Sequence, residues 1–150
     1  MLVPLLLTAH LLVGVALLGA ITHQAVGLLR PSAVRGGHFI TRYAKADRTA
    51  FTMAIAVLFA SSVVLGGVIY PTYRIHVRIP FEEASLGWAI GLFELKEHFG
   101  GLGIGLIPAY LWAWRSGNAA GRMGLTLILA FIAWWNFLVG HVLNNLRGLT

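Results

Sequence analysis

Apolar residues run almost unbroken from Leu2 to Leu29, where Arg30 and Pro31 end them. A second run covers about Ala50 to Tyr70 and stops at Pro71. A third begins near Leu86 and reaches about Trp114, and a fourth covers about Gly121 to Leu143. At about 1.5 Å per residue, each run is long enough to cross roughly 30 Å of hydrocarbon as a helix. Lipid offers the backbone no hydrogen-bond partner, and the chain lacks the alternating segments of about ten residues that build a barrel. The pattern predicts an all-α integral-membrane four-helix bundle, up-down in topology, with residues 1–150 forming one transmembrane domain. No basic residue precedes the first run, and the run is too long for a signal-peptide core, so it reads as a retained span.

Composition agrees with that reading. Of 150 residues, 58% are hydrophobic and 11% charged, against about 25% charged in soluble domains. The net charge of +6 is therefore an orientation signal before it is anything else. Aromatic residues sit within spans and at their ends rather than among the basic ones, which argues against nucleic acid as a partner. The absence of cysteine excludes disulfides, thiolate metal sites, iron–sulfur clusters and haem attached through C-x-x-C-H.

The connection from Arg30 to Arg48 carries Arg30, Arg35, Arg42, Lys45 and Arg48 against Asp47, and the last connection adds Arg115 and Arg122. The opposite side has Arg74, Arg78 and Arg147, offset by Glu82 and Glu83. The positive-inside rule places the two basic loops in the cytoplasm and both termini outside. In the outer loop, residues 71–85, Tyr73, Ile75, Val77 and Ile79 alternate with Arg74, His76 and Arg78. This period of two suggests an extended segment. It either lies on the headgroups as a simple connection or docks an extracytoplasmic partner. Pro80 with Glu82 and Glu83 looks like a helix start.

The densest charge cluster, "FELKEHFGG" from Phe93 to Gly101, falls inside the third run. At spacings of three and four, Gly87, Gly91, Glu94, His98, Gly101, Gly105, Pro108 and Trp112 form one helical face. Glycine lines allow a helix or a flat cofactor to approach the backbone, and plain helix packing explains them equally well. Glu94 and His98 on that face change the balance, because a carboxylate in hydrocarbon costs several kcal/mol without compensation. Lys96 points away from the stripe, toward a neighbouring span, a partner protein or a lipid headgroup.

Antiparallel spans put His10, His98 and His141 in the outer half of the bundle, with Glu94 and Glu97 in the same layer. His98 fits one axial position of haem b on the glycine-lined face beside Gly101 and Gly105. His10, with Gly14 one turn on, or His141 would supply the other, and Trp134, Trp135 and Phe137 could wall the slot. A second haem is less well supported: His10 and His23 lie about 140° apart around their helix, and His38 is a loop residue. The rival is a bare metal held by His98, His10, His141 and Glu94. A third reading is a quinone site with Glu94 and Glu97 handling protons.

His98 followed ten residues later by Pro108, the basic loop around His38, and histidines spread over several spans give a layout that resembles the small four-helix membrane subunits of bacterial respiratory chains. These include b-type cytochrome anchors and oxidase-assembly proteins. The resemblance implies a place in the bacterial cytoplasmic membrane, within a larger complex, passing electrons between quinone and a periplasmic oxidoreductase. One feature departs from it: no pair of helices here carries two stacked histidine ligands each.

The expectation is thus an electron-transfer subunit with one haem b near the outer face. Its alternatives are a non-haem metal-binding membrane protein and a structural accessory subunit whose Glu94, Lys96, Glu97 and His98 form ion pairs with neighbours. An independent enzyme is disfavoured, since no nucleophile–base pattern or phosphate loop is present.

Overall fold

A computed structural model describes residues 2–29 and 49–147, and every regular element in it is helical. Helix α1 is Leu2–Leu29 and α2 is Ala50–Tyr73; a π-helical turn, Arg74–Arg78, joins α2 to the short α3, Ile79–Glu83. Helix α4 is Gly87–Ser116 and α5 is Ala119–Arg147. The basic connection and its His38 lie outside the described residues.

Three helices are long and apolar enough to cross a membrane: Leu2–Leu29, the continuous Ala50–Glu83 and Ala119–Leu146. Helix α4 matches them in length, with 30 residues. Its charge cluster and its glycines leave it less apolar.

The expected extended segment at residues 71–85 is helical instead. Helix α2 runs through Pro71, widens into the π turn and continues as α3 to Glu83. A lone strand at the membrane boundary would leave its backbone groups unpaired, whereas a helix pairs them internally. Proline costs one such bond, and a local π adjustment accommodates it. The start expected at Pro80 does coincide with α3, where Pro80 occupies the first turn. This stretch ends in a tight reversal with Ser85 in the left-handed region, φ 58°. Leu86 N–H donates to the Phe81 carbonyl at 2.8 Å, the six-to-one bond that closes a helix before a left-handed residue. The second reversal uses Gly117, φ 77°. There the Asn118 side chain caps α5 by accepting from Gly121 N–H at 3.1 Å. Arg122 reaches back to the Ala113 and Trp114 carbonyls at the end of α4, at 3.3 and 3.2 Å.

Helix α1 packs on α2 and α5, and α4 packs on α2 and α5, so the four long helices close a ring. The main core joins Leu17, Ile21, Ile55, Phe59, Tyr110 and Leu129. Neutral hydrogen bonds reinforce it: Tyr110 Oη donates to Gln24 Oε1 at 2.6 Å, and Gln24 Nε2 donates to Thr52 Oγ1 at 3.2 Å. Trp114 Nε1 donates to Thr126 Oγ1 at 3.2 Å. His23 is buried here, its ring centroid 4.9 Å from that of Phe51. A smaller core of Phe81, Ala89, Val139 and Leu143 closes the other end.

One contact between α2 and α4 is especially tight. The Phe59 ring lies directly on the backbone at Gly103, where a methyl group would collide with it, whereas an added Cβ at Gly105 meets nothing within 4 Å. Gly103→Ala is therefore expected to destabilise the folded protein by about 1–3 kcal/mol. Gly105→Ala should stay within about 0.5 kcal/mol of wild type. Thermal unfolding of the two variants in one detergent checks the contrast.

Candidate functional site

The polar cluster divides around α4. Ala89, Lys96, Gly103 and Tyr110 recur every seventh residue, so they fall within about 40° of one line on the helix. Ala89, Gly103 and Tyr110 are buried and Lys96 is half-buried. The glycine stripe lies on the other side. Gly87, Gly91, Glu94, His98, Gly101, Gly105, Pro108 and Trp112 are all exposed. The face that the sequence marks for close packing thus looks away from the bundle, and Lys96 looks into it.

On the outward side, His98 Nδ1 donates to the Glu94 carbonyl at 2.7 Å. Since a carbonyl only accepts, Nδ1 carries the proton and Nε2 keeps its lone pair. Glu94 Oε1 lies 3.7 Å from Arg78 Nη1, and Arg78 Nε donates to Glu82 Oε1 at 2.8 Å. Below His98 a groove of about 900 Å³ opens between α4 and α5, lined by Glu97, His98, Gly101, Gly105, Phe131 and other apolar side chains. Neither Gly101 nor Gly105 has an atom within 4 Å of where a Cβ would sit, so the groove floor is bare backbone. Phe99 and Phe131 form its aromatic wall, their centroids 5.8 Å apart, and Trp135 packs against Phe99 at 5.7 Å without lining the groove.

His10, His98 and His141 point in different directions. His10 is half-buried against α2, its Cε1 3.6 Å from the Cβ position of Gly66. His141 is exposed, and its Nε2 accepts from Asn145 Nδ2 at 3.1 Å. Gly14 lies open beside α1, with nothing within 4 Å of its Cβ position. Neither His10 nor His141 lines the groove at His98. Among the described residues, no group of three or more His, Asp or Glu side chains is placed to share a metal ion. Glu94 and Glu97 are both exposed, and Glu97 alone of the two lines the groove.

On the inward side, sequence reasoning missed the aromatic stack that carries Lys96. Tyr73 and Phe93 lie face to face, centroids 3.5 Å apart and 8° from parallel, with Tyr70 stacked 6.2 Å from Phe93. Lys96 Nζ sits 5.3 Å from the Phe93 ring centroid. The available signal was the spacing: Phe93 precedes Lys96 by three residues, the distance at which helical side chains meet.

No family model matches this chain, and neither the curated proteins nor the solved structures contain a match.

Removal of the stacked ring tests the inward geometry. Phe93→Leu keeps the apolar bulk but loses the ring contacts, and is expected to lower stability by about 1 kcal/mol. Glu82→Gln, at the exposed end of the Arg78 pair, should leave the unfolding midpoint unchanged. Parallel thermal melts read both.

Proposed function

We propose that the chain is an integral-membrane electron-transfer subunit of a respiratory-type complex, in which His98 in the α4–α5 groove would hold haem b. In this reading α1, α2, α4 and α5 cross up and down with both termini outside, in a bacterial cytoplasmic membrane. The observation that carries it is the state of His98. Its Nδ1 proton is tied to the Glu94 carbonyl, the arrangement that orients a metal-binding imidazole and leaves Nε2 free as a ligand. It stands at the head of a groove whose floor is the bare backbone of Gly101 and Gly105, which suits a flat ring. When bound, haem b supplies one-electron transfer. Among the described residues, His98 is the one imidazole that lines the groove; His10 and His141 turn elsewhere.

One observation favours quinone as a second reading. Glu97 and His98, the charged and imidazole groups of the lining, are adjacent at one end, and the remainder of the lining is apolar. That is the layout a lipid-soluble molecule with a polar head requires, with Glu97 placed to exchange its protons.

A reduced-minus-oxidised visible spectrum of the purified protein separates the readings. Haem b predicts sharp bands that His98→Ala abolishes. Quinone predicts no bands, but extractable quinone that His98→Ala and Gly105→Leu both deplete at least about tenfold. A colourless, quinone-free, folded protein would contradict both and leave the cluster an assembly role.

Topology has its own test, since the chain lacks cysteine. Single cysteines at Arg35 and Gly117 should resist a membrane-impermeant maleimide in intact cells, whereas one at Ser85 should react fully. The reverse pattern would invert the orientation.

A further inference from the structure

The polar end of the α4–α5 groove is chemically one-sided. Glu97 and His98 are its ionisable residues, and the rest of the lining is glycine and hydrocarbon side chains. Among the described residues, no hydroxyl, amide, indole, lysine or arginine side chain lines it. Backbone N–H groups along α4 and α5 are committed to their own helices. His98 is fixed as an acceptor: its Nδ1 proton goes to the Glu94 carbonyl at 2.7 Å, so the neutral ring offers a lone pair at Nε2. Glu97 forms no ion pair among the described residues, and as a carboxylate it too only accepts.

Two acceptors at one end of an apolar groove discriminate between ligands. A quinone head carries carbonyl oxygens, which also only accept. Set against His98 Nε2 it would leave both groups unpaired away from water, which is costly. A hydroquinone of the same shape carries two O–H donors. A protonated Glu97 could donate one bond, yet Nε2 would still need a donor from the ligand. The remaining lining suits a ring with an apolar tail. Phe99 and Phe131 meet edge to face, centroids 5.8 Å apart and 80° between planes, and aromatic edges and faces pack well on another ring. The floor at Gly101 and Gly105 is open. From Glu97 to Leu106 the lining of α4 extends about 13 Å along the helix, polar at its start and apolar beyond.

We infer that the groove selects the reduced, hydroxyl-bearing form of a lipid-soluble ring, a quinol, over the oxidised quinone. His98 Nε2 accepts from one hydroxyl, and Glu97 stands at the same end to accept from a second. His98 thereby determines specificity through its tautomer, and the Glu94 carbonyl sets that tautomer. The inference deepens the quinone reading of the groove and rests on it; it does not rest on haem.

Equilibrium binding to the full chain in phosphatidylcholine nanodiscs tests it. The probes are a decyl hydroquinone kept reduced under argon, the matching quinone, and the dimethyl ether of the hydroquinone, which keeps the ring and loses both donors. The wild type is expected to bind the hydroquinone at least about tenfold more tightly than either of the others. His98→Gln installs an amide that donates as well as accepts, and should bring the quinone to within about threefold of the hydroquinone. A quinone or dimethyl ether that binds the wild type as tightly as the hydroquinone would overturn the inference, as would an unchanged preference in His98→Gln. If His98→Gln does not fold, Glu97→Gln, which also supplies an amide donor, should narrow the preference in the same direction. Decanol competing as well as the hydroquinone would overturn the assignment to a ring. A haem-bearing protein that binds no hydroquinone would sink this inference and leave the haem reading standing; a colourless protein with the hydroquinone preference would do the opposite.

Discussion

The contact of Phe59 with the bare backbone at Gly103 sets how α4 is turned, and most of what the protein presents follows from that rotation. A helix with polar residues on several sides can be buried in more than one way. Gly103 favours one of them, because there an aromatic ring from α2 lies against the helix backbone. With Gly103 inward, the seven-residue line through it carries Ala89, Lys96 and Tyr110 inward too. The opposite line, with Glu94, His98, Gly101 and Gly105, then faces outward. One packing contact thus separates two polar surfaces that the chain encodes within five residues.

The two halves of the bundle are held by different physics. Toward the basic connections, a mesh of neutral hydrogen bonds through Gln24, Tyr110, Thr52, Trp114 and Thr126 joins all four long helices. Such a mesh favours a single packing of this half. Toward the α3 reversal the helices are held by stacked rings and a small apolar core, and polar atoms are left without partners. Unsatisfied groups and bare glycine backbone are costs to stability that a protein concentrates where it binds something. The half that holds Gln24 and Tyr110 is thus tied by hydrogen bonds, and the half at the α3 reversal by ring stacking and apolar packing.

Much of the architecture was legible in the sequence because length and apolarity alone specify membrane helices. The first helix was read residue for residue, and the others within a few positions of their ends, except α2, which Pro71 was expected to stop. That misreading came from treating proline and a period of two as decisive. At a membrane boundary the need to pair backbone groups outweighs both. The facing of α4 was less legible, since lipid and protein interior are equally apolar and hydrophobic pattern does not tell inside from outside. Four glycines in the stripe suggested packing, yet the single Gly103, opposite a large ring on another helix, governed it. Lys96 was placed off the stripe correctly, but its interior neighbours depend on α1 and α5, and spacing within α4 carries no information about them.

The most direct test of this account is nitroxide scanning along α4, on single-cysteine variants of this cysteine-free chain in lipid bilayers. Oxygen accessibility should peak at positions 94, 98, 101 and 105 and fall to a minimum at 89, 96, 103 and 110. The opposite phase, with position 103 in lipid and 98 and 101 occluded in the isolated protein, would contradict the rotation of α4 and, with it, the groove proposed on its outward face.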